Sequence, residues 1–208
     1  MHTPRSRSFL FSCLLLVVGA SALAADPPGS PYKVGERLGS TPGKPASDFR
    51  EVKWEELIPP NWNPADAFKG VDLAKMEDGD PRAMDALARM RDVWANAPVA
   101  SSLNGAAVRI AGFVIPLERV KDEVSEFLLV PYFGACIHVP PPPANQIIRV
   151  VSDKPLKSVQ TMDAMWVSGV LKVAAGESSR GRSAYRMQAK ATAPHVFPAR
   201  KRASREGP

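Results

Sequence analysis

Cysteine and histidine are both scarce in this 208-residue chain, with two and three copies, and much of what the sequence excludes follows from that scarcity. Cys13 falls in an N-terminal run that reads as a removable leader, so Cys136 is the one thiol expected in the mature chain. One thiol makes no intrachain disulfide, even in a compartment where disulfides persist. It must be buried, liganded, reactive or paired between chains. His138 and His195 are the imidazoles that remain, and no complete catalytic constellation can be read around them. Long apolar runs are missing too. Residues 9–19 (FLFSCLLLVVG) fall well short of the ~20 apolar residues that a membrane-spanning helix needs. No later run is long enough, so a soluble protein without a membrane span is expected.

The leader decides which residues need explaining. Arg5 and Arg7 give a positive start, the apolar run follows, and Ala22-Leu23-Ala24 offers the small-x-small pattern that a signal peptidase reads. Cleavage after Ala24 is expected, which places the protein in the periplasm. A lipid on Cys13 fits less well, because Phe11 stands where a small residue belongs.

Processing also removes most of the apparent basicity. The whole chain carries 27 Lys and Arg against 21 Asp and Glu, a net +6. Losing Arg5 and Arg7 leaves +4, and residues 200–206 (RKRASRE) account for another +3, so the body carries about +1. The charge sits at two ends, one discarded and one expected to be a disordered tail over 194–208. No nucleic-acid partner is expected from such a body.

Residues 25–50 are rich in Pro, Gly and Ser without periodicity and read as a flexible linker. A helical segment is expected over 51–98. Within it, residues 54–58 (WEELI) form one turn that Pro59 stops, with Trp54 and Ile58 pinning it to the body. A clearer helix starts at Asp80 as cap with Pro81 in first position, and puts Ala83, Leu87, Met90 and Trp94 on one face. Packing is the plain reading of that stripe. From residue 99 to 193 the period changes to two. Strands are predicted at 108–115, 127–130, 147–151, 165–173 and 184–190, with Gly112 and Gly169 inside two of them. Glycine inside a strand marks a bulge or bend, the device that lets strands close into a small barrel. The fold class is therefore all-β, a five-stranded barrel of the oligonucleotide/oligosaccharide-binding (OB) type preceded by a short helical segment. Residues 176–183 (GESSRGRS) resemble a phosphate loop, but they join two strands with no helix following, and so read as a hairpin.

The most distinctive segment is 130–146, VPYFGACIHVPPPPANQ. Four successive prolines have fixed φ and no amide donor, so they form a stiff rod next to Cys136 and His138. If residues 136–138 are extended, the thiol and imidazole share a face, and a soft sulfur beside an imidazole suits zinc or copper. Burial statistics for free cysteine favour packing instead. Two ligands do not complete a site, and Glu118, Asp122, Glu126 or His195 could add the rest. A thiol nucleophile with His138 as base is disfavoured, because side chains two apart on a strand run parallel and no orienting acid is identifiable.

The run PYFGACIHVPPPPANQIIRV, with IAGFVIPLE before it and MWVSGVLKV after it, resembles the bacterial family called domain of unknown function 3299, over roughly residues 54–191. The resemblance implies an exported protein with an OB-like barrel. Because members are sometimes encoded beside zinc-linked transport systems, it tilts Cys136 and His138 towards metal and implies an envelope transport system as partner. The expectation is a non-enzymatic envelope accessory protein handling zinc or copper through Cys136 and His138. The alternative is a binding module for an envelope protein or glycan, using Tyr132, Phe133, Asn145 and Gln146 with the thiol structural.

Overall fold

A computed structural model describes residues 30–39, 48–70, 80–137 and 141–196. The expected leader, His138 and most of the basic tail lie outside the described residues.

Six strands form one sheet: β1 (Arg50–Glu51), β2 (Ala107–Val120), β3 (Glu123–Val130), β4 (Ile148–Lys157), β5 (Ala164–Ser178) and β6 (Gly181–Pro194). Their order is β1-β2-β3-β4-β6-β5, and β2 also pairs with β5, so five of the strands close into a barrel with β1 added outside it. All barrel pairings are antiparallel except β4 with β6. This is the five-stranded OB-type barrel that the period-two pattern predicted. The strands are longer than predicted because their polar outer ends continue the ladders past the apolar cores.

Alternation sorts the side chains into two clusters. Ile110 and Val114 of β2, Phe127 and Leu129 of β3, and Tyr185 and Met187 of β6 fill the barrel interior. The opposite face of β2 and β3 turns Phe113, Ile115, Leu128 and Val130 outward, and these are buried in a second cluster with Tyr32, Phe133 and Met162. Part of the stretch read as a linker therefore lies against the barrel: Tyr32 is buried, with Val34 and Leu38 packed beside it. Proline and glycine content could not reveal this, because the docking surface is supplied by strands 75 residues or more away.

The two strand glycines differ. A register shift separates Ser168 from Gly169, where β6 carries one extra residue, Lys190. A Cβ on Gly169 would collide with the Gln188 carbonyl oxygen and lie 2.9 Å from its carbonyl carbon. At Gly112 the ladder to β5 continues unshifted, so no bulge interrupts that pairing. A Cβ at Gly112 would lie 2.7 Å from Leu129 Cγ and 3.0 Å from Trp54 Cζ2, so this glycine makes room for the Trp54 ring.

The segment before the barrel closes one end of it. Residues Trp54–Leu57 form a 3-10 turn. Trp54 Nε1 donates to the Ala111 carbonyl at 2.7 Å, and the buried partner in the turn is Leu57, with Ile58 only half-buried. The predicted pin at Ile58 is thus shifted by one residue, as the tight turn dictates. Tyr185, fully buried, accepts from the Ala100 amide at 2.7 Å and donates to the Leu57 carbonyl at 2.8 Å. Helix α1 (Pro81–Ala95) starts as expected, with Asp80 accepting from the Arg82 amide at 2.8 Å. Its stripe is less covered than the pattern implies: Ala86 and Met90 are buried, but Leu87 and Trp94 only half so.

Candidate functional site

The loop after β3 forms at one end of the barrel, and most of its side chains hold the chain itself. The Phe133 amide donates to the Glu36 carbonyl at 2.9 Å, and the Gly35 amide donates to the Phe133 carbonyl at 2.8 Å. Residues 35–37 thus bridge antiparallel to 132–133. The Phe133 ring is buried edge-on to Phe113 at 5.6 Å and stacked with Tyr32 at 5.8 Å. Such aromatic pairs contribute roughly 0.5–1.5 kcal/mol beyond their buried area. Tyr132 is half-buried, with the Arg37 guanidinium 5.9 Å from its ring centre.

Cys136 takes a left-handed backbone, φ +62°, in a turn. The extended backbone that would put residues 136 and 138 on one face is therefore absent at Cys136. Its thiol is half-buried against the outer cluster. Burial pushes its pKa up to about 11, against the opposing pull of the Arg180 charge. Ile137 follows and is 38% exposed.

Past the proline run, Asn145 and Gln146 are both buried. Asn145 Nδ2 donates to the Pro98 carbonyl at 2.8 Å, and Gln146 Nε2 donates to the Trp54 carbonyl at 2.8 Å. Both amides tether the N-terminal segment to the barrel. The sequence suggested them as binding residues, and it could not show the backbone carbonyls they reach, which are distant in the chain.

The further ligands considered for a metal are dispersed. Glu118 is exposed. The Arg149 side chain donates to Glu126 at 2.6 Å and holds that carboxyl below its usual pKa. Asp122 lies 3.6 Å from Arg119. His195 is buried, with Nε2 3.3 Å from the Gly39 carbonyl oxygen and its ring 5.5 Å from Trp166. Among the described residues, no three His, Cys, Asp or Glu side chains come together as a metal group.

Sequence reasoning missed the stack on the outer face of β2 and β5. Arg109, buried, lies 3.9 Å over the Trp166 ring. The signal was present in the alternation, since both residues occupy outward positions of strands whose inward residues are apolar.

The fold agrees with the comparisons. A family model described as a protein of unknown function (DUF3299) matches residues 54–194. The chain belongs to this family. A crystal structure of a DUF3299 family protein from Pseudomonas aeruginosa PAO1 is similar at 36% identity and a TM-score of 0.57, over 72% of this chain and 97% of that one. No curated protein matches. Among the described residues of this DUF3299 protein, no helix is long and apolar enough to cross a membrane.

Proposed function

We propose that this protein is an exported, non-enzymatic accessory protein of the bacterial cell envelope, an OB-type module that docks another envelope protein. The observation that carries this reading is the loop 131–137. Its centre is pinned by Phe133 and the strand-like bridge to residues 35–37, while Tyr132, Cys136 and Ile137 stay half-exposed or exposed. A surface fixed before binding loses little conformational freedom on docking, which favours affinity. A glycan is the weaker occupant, because sugar stacking needs an open aromatic face. Phe133 is buried, and Arg37 lies over Tyr132. A catalytic thiol is weaker still, because the nucleophilic form of sulfur is the thiolate and Cys136 is held protonated at neutral pH.

A photo-crosslinking residue introduced at Ile137 tests this reading in the living cell. One discrete envelope protein should be captured from position 137, lost with Tyr132→Ala, and not captured from the exposed position Val173 on β5. No capture from 137, or the same captures from both positions, contradicts it.

A second reading, zinc or copper bound by Cys136 and His138 in the service of an envelope transport system, has one observation in its favour. A non-glycine residue in the left-handed region costs about 1–3 kcal/mol, and such residues cluster at functional sites; Cys136 is one. Stoichiometric zinc or copper in untagged protein taken from its own periplasm supports this reading, and metal-free protein removes it.

A further inference from the structure

A cleft of about 410 Å³ opens between helix α1 and the proline run, within the roughly 300–1,000 Å³ typical of small-molecule sites. One wall is the apolar stripe of the helix, Leu87, Met90 and Trp94; the other is Pro141, Pro142 and Ala144. The half-exposure of Leu87 and Trp94 has its cause here: the helix rests its stripe over the cleft instead of on the barrel. Trp94 Nε1 donates to the Pro64 carbonyl at 3.1 Å, so the polar edge of the indole is already satisfied. The opposite wall is fixed by ring constraints, and proline has no amide to donate. The hairpin tip closes in behind it: a Cβ on Gly181, at φ +137°, would lie 3.3 Å from Pro141 Cβ.

The polar groups lining the cleft are of one sign. Arg91 and Arg182 flank it, and no carboxylate lines it among the described residues. Glu177 Oε1 lies 3.3 Å from Arg182 Nε. That contact orients the guanidinium without exhausting its five N–H donors.

We infer that this cleft binds a single-chain fatty acid, with the hydrocarbon between Trp94 and the prolines and the carboxylate at Arg91 and Arg182. The walls choose between occupants. A peptide would bring backbone N–H and C=O groups that need partners when buried, at a cost of about 1–3 kcal/mol each if unmet. A proline wall offers no donor to meet them. A hydrocarbon chain needs no partner, and its one charged end meets two cations that can pair with a carboxylate bidentately. No residue of loop 131–137 lines the cleft, so the inference rests on different side chains from the docking surface.

Calorimetric titration of the full chain, free of detergent, with dodecanoate below its micellar concentration tests this inference, with dodecanol as the uncharged probe. One dodecanoate per chain should bind saturably. Leu87→Trp, which fills the cleft, should weaken both probes roughly tenfold or more. Arg91→Gln combined with Arg182→Gln should weaken dodecanoate by a similar factor and leave dodecanol unchanged, with an unchanged far-ultraviolet spectrum showing that the variants fold. Arg91→Gln alone, at an exposed position, should give a smaller loss of the same kind. No saturable binding, binding indifferent to Leu87→Trp, or equal loss of both probes in the arginine variants would overturn the inference.

Discussion

The two apolar clusters of this protein use the same residue types and are assembled in different ways. The barrel interior comes mainly from alternate positions of five strands, each delivering its share by local pattern, with Trp54 and Leu57 of the preceding turn packed into it. The outer cluster gathers Tyr32, Phe113, Phe133 and Met162 from an arm, a strand and two loops. The interior is enclosed, whereas the outer cluster ends at a half-exposed thiol, with the exposed Ile137 next to it in the chain. A core whose side chains are enclosed can only stabilise. A core finished by loops also fixes what those loops present, and the account rests on that difference.

The largest effect should come from breaking the interior. Gly169→Val forces a branched side chain into the β6 backbone at Gln188, and should cost about 3 kcal/mol or more. Urea denaturation reads this directly, and an unchanged midpoint would remove the role given to Gly169. Phe133→Ala breaks the outer cluster. Its cost is also about 3 kcal/mol, but its signature differs. The barrel should keep its cooperative unfolding, while local opening of the loop speeds alkylation of Cys136 roughly tenfold in native buffer. Loss of stability without faster alkylation would mean that the outer cluster does not fix the loop. Tyr185→Phe removes a hydroxyl that serves two buried backbone groups, the Ala100 amide and the Leu57 carbonyl. A loss of about 2 kcal/mol is expected in the same denaturation experiment.

The same division decides what was legible in the sequence. Tyr185, Met187 and Ala189 alternate with Arg186, Gln188 and Lys190 and do face the interior as that pattern requires. The Asp80-Pro81 start of α1 was legible because capping is a local interaction. The docking of Tyr32 on Phe113 and Phe133 was not, since it depends on which outward strand face the arm meets. Asn145 and Gln146 resisted for a related reason: a polar side chain beside a proline run looks exposed until its carbonyl partners 47 and 92 residues away are in place. Cys136 and His138 were read on the assumption of an extended backbone, which the left-handed turn at Cys136 does not provide.

The last effect is a titration. The Cys136 pKa is raised from its ordinary 9.0 to about 11, so below pH 9 the thiol is protonated in both folded and unfolded chains. As pH rises through that interval the unfolded chain releases its proton first, and stability falls. Denaturation midpoints should therefore decline more between pH 9 and pH 11 in the parent than in Cys136→Ala. Parallel declines would place the thiol in a more watery setting than the outer cluster allows.

Alkylation of Cys136 in the folded chain, measured across pH with and without added zinc, tests the central claim most directly. If the thiol belongs to the cluster that fixes the loop, labelling should be slow at neutral pH, rise towards a midpoint of about 11, and proceed at the same rate in both conditions. A metal ligand must be deprotonated, and zinc would shield it. Protection by zinc, or fast labelling at neutral pH, would contradict the account.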